Sequence, residues 1–345
     1  MIRFYKPTLK RNDMDCVLQT MADEHIGPGE RARAFTRFFA DSVGCAASLS
    51  FRTYQDCIRT AFDVAGLTSE SRVAISPLAP SVYYEVLSSI GCDVVYVDVD
   101  TENGMPGSES VISSGADVFV LYESCGSLPA KYSSDTTLFE KVDYSGICVI
   151  EDISESIGSA VGEDLRAGSW GNMVLARLEE YDVVSAGGGA VLAAKGEFSD
   201  KVKDYKVSQF KSLSDLNAAL GLVQLENIAE GNLKRSEICS LYQVGMVSSK
   251  HKKFGLNALD FKGNGSCFSV FLDCKPDELI EFAKRRDVPV IRTFENSICS
   301  CLEGDLFEKF PTCAAYYYRT VSFPVYPFLK PEEVKTISRI VANLP

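Results

Sequence analysis

Apolar positions along the chain switch between two periods. DCVLQTMADE and ERARAFTRFFADSVG repeat their apolar residues every three or four positions, which predicts two helices, the second closed by Gly44. YQDCIRTAFDVAG and SVYYEVLSSIG read the same way. Between and after them lie short β-branched runs: SRVAISP, CDVVYVDVD, DVFVLYES and ICVIED. DTTLFEKVDYSG is expected as a further helix, between the last two strands. Strands that are apolar throughout, rather than alternating, are buried on both faces. Helices placed between them indicate a parallel sheet covered on both sides.

From Ser212 the pattern changes. SLSDLNAALGLVQLENIAEGNLKRSEICSLYQ reads as one long helical stretch, with Leu213, Leu216, Leu220, Val223 and Ile228 on one face. Leu222 and Leu225 widen that face, and Ser214 and Asp215 are candidate N-caps. A helix this apolar is expected between domains or at a subunit interface. Farther on, CFSVFLDC and VPVIRT read as strands, and PDELIEFAKRRD and KPEEVKTISRIVANL as helices, the last with Pro331 near its start. The expected fold class is α/β. A large doubly wound, mostly parallel domain spans residues 1–245, and a small α+β domain spans residues 246–345.

Composition narrows the partners more than the fold. The 345 residues carry a net charge of −12, which argues against nucleic acid and anionic membrane, since both require a basic surface. No run is long and apolar enough to span a bilayer. MIRFYKPTLKRND turns polar at once, with no secretory apolar region, so a cytoplasmic location is expected. The twelve cysteines are scattered and are expected as reduced, mostly buried small hydrophobes. The nearest grouping, Cys299, Cys301 and Cys313 with Cys267 and Cys274 upstream, lacks the paired spacing of a zinc or iron–sulfur site, and no metal is expected. His25 and His251 are the only histidines, both in polar surroundings, so a histidine base is not expected.

Ligands of an open parallel sheet bind beyond the carboxyl ends of its strands. Glu151 and Asp152 end the apolar run ICVI, so one of them is expected to face that crevice. A turn-capping role for Asp152 is the plainer alternative. A second stretch, ARLEEYDVVSAGGGAVLAAK, places Gly187, Gly188 and Gly189 before a small apolar strand. Glycines beside a strand allow a close approach to the backbone. The acidic turn Glu179, Glu180, Tyr181, Asp182 precedes them, and the only lysine is Lys195, expected to be exposed beyond the strand.

Several segments together resemble the DegT/DnrJ/StrS family of sugar aminotransferases. IRFYKPTL is similar to that family's opening, HIGPGERARAFTRFFADSVG to its Gly-Pro segment and Phe-rich helix, and IGCDVVYVDVD to its element of Gly-Ala, a strand and Val-Asp. CVIEDISESIGSAV resembles its Ile-Glu-Asp signature, SDLNAALGLVQLENI its Ser-Asp-Leu helix, and FPVYPFLKPEEVKTI its closing Tyr-Pro segment. The resemblance covers nearly the whole chain. It implies the aspartate-aminotransferase fold, a homodimer, a nucleotide-sugar substrate, and pyridoxal phosphate or pyridoxamine phosphate as cofactor.

That chemistry needs a lysine for the Schiff base, a carboxylate for the pyridinium nitrogen, donors for the phosphate and a flat contact for the ring. Aligning the glycines puts Tyr181 at the lysine's position, and a shift of one residue puts Asp182 or Glu180 there. The phosphate-holding Ser-Gly-Thr corresponds to Thr53, Tyr54 and Gln55. The ring-stacking aromatic falls near Pro80, the phosphate serine near Ala176, and the Asn and Arg serving the dimeric site near Phe210 and Ser212. Asp152 remains, and the ring-side residue three positions on is Glu155. The expectation is a divergent homologue that does not transaminate. It binds a nucleotide sugar or pairs with an active relative, in amino- or deoxysugar and polysaccharide biosynthesis. Two alternatives stay open: an active aminotransferase or dehydratase acting on a nucleotide-linked keto sugar, and a scaffold without a ligand.

Overall fold

The computed structural model describes residues 2–129, 146–247, 249–302, 304 and 306–344. The expected helix DTTLFEKVDYSG lies, but for its last residue, outside them. The chain opens with α1 (Arg11–Ala22) and α2 (Glu30–Ser42). It continues through β1 (Ala47–Phe51), α3 (Tyr54–Ala65), β2 (Arg72–Ile75), α4 (Val82–Ile90), β3 (Asp93–Tyr96), α5 (Ser108–Ser113), β4 (Val118–Tyr122) and β5 (Cys148–Asp152). After two short strands, β6 (Ala160–Val161) and β7 (Leu165–Arg166), come β8 (Met173–Arg177), β9 (Ala190–Ala194) and α6 (Gly196–Asp204).

β1 to β5, β8 and β9 form one seven-stranded sheet in the order β1-β9-β8-β5-β4-β2-β3. β9 runs antiparallel to both its neighbours, and the remaining pairs are parallel. The sheet is therefore mostly parallel and doubly wound, as expected. One apolar cluster lies on each face: α2 packs with Phe119, Val174 and Val191, and α3 and α4 pack with Val120, Ile150 and Leu175. Gly66 and Gly91 end α3 and α4 in the left-handed conformation, which glycine adopts without a Cβ penalty.

The long apolar stretch is two helices, α7 (Asp215–Glu226) and α8 (Ile228–Gly245). Asn227 separates them with ψ 12°, and its side-chain amide donates to the Val223 carbonyl at 2.8 Å. α7 packs against α1 and α2. Ser214 caps it, accepting from Asn217 N at 3.3 Å. Asp215 serves a different helix: its carboxylate accepts from the backbone of Gly29, Arg31 and Ala32 at 2.8, 3.2 and 2.9 Å, capping α2.

The C-terminal region adds β10 (Lys252–Lys253), β11 (Phe261–Lys262), β12 (Phe268–Phe271), α9 (Pro276–Lys284), β13 (Ile291–Arg292), α10 (Leu306–Lys309), α11 (Pro311–Arg319), β14 (Thr320–Phe323) and α12 (Pro331–Ala342). β10, β12, β14 and β13 form an antiparallel sheet in that order. β14 lies between β12 and β13, so a strand absent from the expected set holds this sheet together. Ile238 and Tyr242 of α8 enter its core, the Tyr242 ring meeting Phe268 edge-on at 5.3 Å. β11 crosses back to pair with β6.

Candidate functional site

β4, β5 and β8 end side by side, with Tyr122 opposite Asp152 and Asp152 opposite Leu175. Side chains alternate between faces along a strand. Tyr122, Asp152 and Arg177 therefore share the face covered by α3 and α4, while Glu151 faces the other side. Neither acid lines the cavity beyond these strand ends: Asp152 is on its side of the sheet but behind its wall, and Glu151 is turned to the opposite face. Glu151 is held by the backbone of Gly168, Trp170 and Gly171 at 2.6, 2.8 and 2.5 Å.

Asp152 is fully buried and fully occupied. Its Oδ2 accepts from the hydroxyls of Tyr54, the first residue of α3, and Tyr83 of α4, the latter at 2.8 Å. Its Oδ1 accepts from the Ser154 hydroxyl at 2.5 Å and the Ser154 backbone at 3.0 Å. Burial pushes the Asp152 carboxyl above its usual range, and these hydrogen bonds work against that rise. Burial and the Asp152 charge push both tyrosine hydroxyls well above theirs. The Tyr54 and Tyr83 rings meet edge-on at 6.0 Å.

Arg177 lies over both flanking tyrosines, 5.5 Å from the Tyr54 ring and 4.8 Å from the Tyr181 ring. Its guanidinium grips Asp182 through Nε at 3.0 Å and Nη2 at 2.8 Å. Burial disfavours this cation, but the charge and hydrogen bonds of Asp182, with Tyr122 and Tyr54 beside it, together raise the pKa well above the ordinary value.

A cavity of about 380 Å³ opens between these strand ends and the C-terminal sheet. Tyr122, Ser154, Glu155, Arg177 and Tyr181 line one wall, and Thr293, Phe294, Ser322 and Phe323 the other. Glu155 accepts from Cys125 N at 2.7 Å, and burial raises its pKa against the nearby Arg177 charge. Cys125 adopts φ 56°, a left-handed geometry that is uncommon for a residue with a side chain. Cys125 and Cys267 share the Ser269 hydroxyl at 3.4 and 3.2 Å. All twelve cysteines are free thiols.

The residues expected at the site separate into three groups. Glu155, Tyr181, Asp182 and Pro80 line the cavity. Tyr181 stands at its mouth, 48% exposed, with its ring 5.6 Å from Tyr5. Asp152 and Tyr54 lie behind the wall, buried against each other. Thr53 and Gln55 are exposed and do not line the cavity. Thr53 caps α3 by accepting from Asp56 N at 3.0 Å and donating to Asp56 Oδ2 at 2.8 Å. Lys211 pairs with the same carboxylate at 2.8 Å. Ala176 is buried within β8, and Phe210 is 79% exposed. Ser212 bridges to Phe51.

Lys195 differs from expectation. It is half-buried, because its ammonium folds back onto the Gly168 carbonyl at 2.5 Å. It does not line the cavity, and no lysine does among the described residues. His251 is buried, accepting from Asp273 N at 3.0 Å, and His25 is exposed; neither lines the cavity. The glycine run has a packing reason. Gly189 has φ 108°, and a Cβ there would lie 2.7 Å from the Phe51 carbonyl and 2.5 Å from Leu213.

The donor set does not fit pyridoxal phosphate. Asp152, the carboxylate expected at a ring nitrogen, is closed by hydroxyls on both oxygens. The first turn of α3, where a phosphate would sit, already holds Asp56 as its anion. No lysine reaches the cavity from the described residues.

Residues 7–342 match the DegT/DnrJ/EryC1/StrS aminotransferase family. The chain belongs to that family. It is 21% identical to the spore coat polysaccharide biosynthesis protein SpsC of Bacillus subtilis, over 98% of this chain and 95% of the relative. It is 21% identical to the GDP-perosamine synthase of Vibrio cholerae, over 99% of each. Its fold matches a putative sugar aminotransferase of Streptococcus pneumoniae in its pyridoxal-phosphate form. The TM-score is 0.86 at 14% identity, covering 99% of this chain and 97% of that one.

Proposed function

We propose that this member of the family binds a nucleotide-linked sugar without transaminating it. It would act in amino- or deoxysugar and polysaccharide biosynthesis in the cytoplasm, as a homodimer or as the partner of a lysine-bearing homologue. The single observation that carries this reading is the closure of Asp152 by Tyr54, Tyr83 and Ser154. A carboxylate that accepts from three hydroxyls has no need of a pyridinium nitrogen, and the Tyr54 side chain fills the space beside it. Tyr181 supplies a ring and a hydroxyl at the cavity mouth, and neither forms an imine.

The cavity itself is suited to a hydroxylated ring. Ser154, Thr293, Ser297 and Ser322 offer hydroxyls, and Tyr122, Tyr181 and Phe294 offer apolar faces. Protein purified with pyridoxal phosphate should show no visible imine band and no borohydride-sensitive absorbance. A stoichiometric band that borohydride abolishes would sink the proposal. Calorimetric titration with nucleotide sugars should show saturable binding, and co-purification with a lysine-bearing homologue would separate the partner role from the homodimer.

A further inference from the structure

Among the described residues, Arg177 and Arg235 both carry largely buried guanidiniums, and one of the two has an anion beside it. Arg177 has Asp182. Arg235 on α8 is 6% exposed and pairs with no carboxylate. Its Nε donates to the Asn264 carbonyl at 3.1 Å, and its Nη2 donates to the Asn232 side-chain oxygen. Its Nη1 has no partner among the described residues. Burial pulls the pKa of Arg235 down to about 10, the opposite direction from Arg177. Retaining an unpaired cation in this position is unfavourable unless something compensates it.

Arg235 looks into a small annex of about 30 Å³. Two further features of that annex point the same way. Lys6, an exposed residue, lines its rim, with the ammonium 5.7 Å from the Phe328 ring and free to turn toward an anion. The Ser266 hydroxyl is buried without a hydrogen-bond partner, and Ser266 lines both the annex and the main cavity. A buried guanidinium without a carboxylate, an exposed lysine and an orphaned hydroxyl thus line one annex in a chain whose net charge is −12. The acids on the same walls are Asp182, committed to Arg177, and Glu180 at the exposed rim.

The annex opens into the main cavity past Tyr5, Tyr181, Val183 and Val325. At roughly 10–15 Å³ for each water-sized centre, it accepts two or three oxygen atoms but no ring. We propose that Arg235, Lys6 and Ser266 hold a phosphate group of the ligand whose sugar ring occupies the main cavity. This rests on the reading of that cavity as a sugar site. It places the anion at α8 and the N-terminal segment, away from the first turn of α3, where Asp56 stands.

Isothermal titration of the full chain at low ionic strength, with inorganic phosphate, glucose 1-phosphate and glucose, tests the proposal. Wild type should bind glucose 1-phosphate at least tenfold more tightly than glucose and more tightly than phosphate. Lys6→Ala should weaken both anions about tenfold, as expected for a lost charge-assisted contact. Ser266→Ala should weaken them about fivefold, a neutral donor's share. Lys284→Ala, on the exposed end of α9, should leave both unchanged. Arg235→Gln should abolish anion binding; if it fails to fold, the Lys6 and Ser266 variants decide. Phosphate affinity unchanged in both of those variants overturns the assignment, as does no anion binding in wild type. Equal affinity for phosphate and glucose 1-phosphate overturns the link to the cavity, leaving an inorganic-ion site. These heats are read apart from any visible imine band, so the two proposals fail separately.

Discussion

Replacing Tyr54 with phenylalanine removes one hydroxyl from the Asp152 carboxylate and almost nothing else. The ring stays, and with it the edge contact to Tyr83 and the Arg177 guanidinium 5.5 Å away. A hydrogen bond to a charged group contributes about 1.5–3 kcal/mol, and stranding a buried acceptor costs within the same range. Tyr83 still donates to the same oxygen, at 2.8 Å, so the lower half of that range is expected, about 1.5–2 kcal/mol. With an unfolding entropy of about 2.1 cal/mol/K per residue, a chain this long loses roughly 2–3 °C of melting temperature. The sign of the pH dependence follows from which form the hydroxyl favours. It stabilises ionised Asp152, whose pKa burial has raised, so the loss should be larger at about pH 8 than at about pH 5.

Calorimetric melting of Tyr54→Phe, Asp152→Asn and the double variant isolates the contact. The double-mutant cycle should return a coupling of about 1 kcal/mol, within the range for directly bonded groups. A Tyr54→Phe variant as stable as wild type at pH 8, with no coupling in the cycle, would refute the closure of Asp152. The proposal of a non-transaminating site would then lose its main support.

Two other perturbations probe the sheet around the site. Glu123 is fully buried, with Ser156 donating to one oxygen and no partner on the other. Burial and then the Glu151 charge raise its pKa well above the ordinary 4.5. A carboxyl raised in the folded state contributes stability at low pH that is lost as pH rises. Wild-type melting temperature should therefore fall between about pH 5 and about pH 8, and Glu123→Gln should flatten that slope and melt higher at the upper end. A slope unchanged in the variant would assign the effect elsewhere. Gly189→Ala should destabilise by about 2–4 kcal/mol, combining a left-handed backbone with a clash against the Phe51 carbonyl. A soluble variant melting within a degree of wild type would contradict that packing role.

The inner strands β2, β4 and β5 were legible because they are apolar runs bounded by proline or acid, whereas β1, ASLSF, alternates with serine and was absent from the expected set. ICVIED also announced its own function-bearing end, since two acids after four apolar residues must leave the core or be paired within it. The same signal, a charge closing an apolar strand, marks Arg177 in MVLAR. Its partner Asp182 sits five residues on, inside the acidic turn read against a missing lysine. Tyr83 carries no such local mark. It reaches Asp152 from a helix 69 residues away, and only the packing of α3 beside α4 brings it there. The break at Asn227 was hidden for a different reason: the apolar period runs on across it, and neither glycine nor proline announces it. Asp215 looked like a cap for its own helix, and a tertiary contact turned it to α2. Thr53 and Gln55 were placed by alignment to a phosphate cradle. Local capping by Asp56 decides what that turn does instead.

Asp152 and Gly189 each have a packing reason in this structure. Asp152 accepts from two buried tyrosine hydroxyls, so losing the acid would remove the acceptor to which both donate. With Tyr54 and Tyr83 both donating to it, the aspartate has a packing role that needs no cofactor. Gly189 is required by the Phe51 carbonyl, which lies too close for any Cβ. Both survivals are therefore compatible with a chain under no selection for imine chemistry. The unpaired Arg235 is different. No carboxylate among the described residues compensates its charge, its two hydrogen bonds go to the neutral Asn264 and Asn232, and the annex is a place where compensation can come from. Of the charged groups near the cleft, it is the one whose presence the fold alone does not explain.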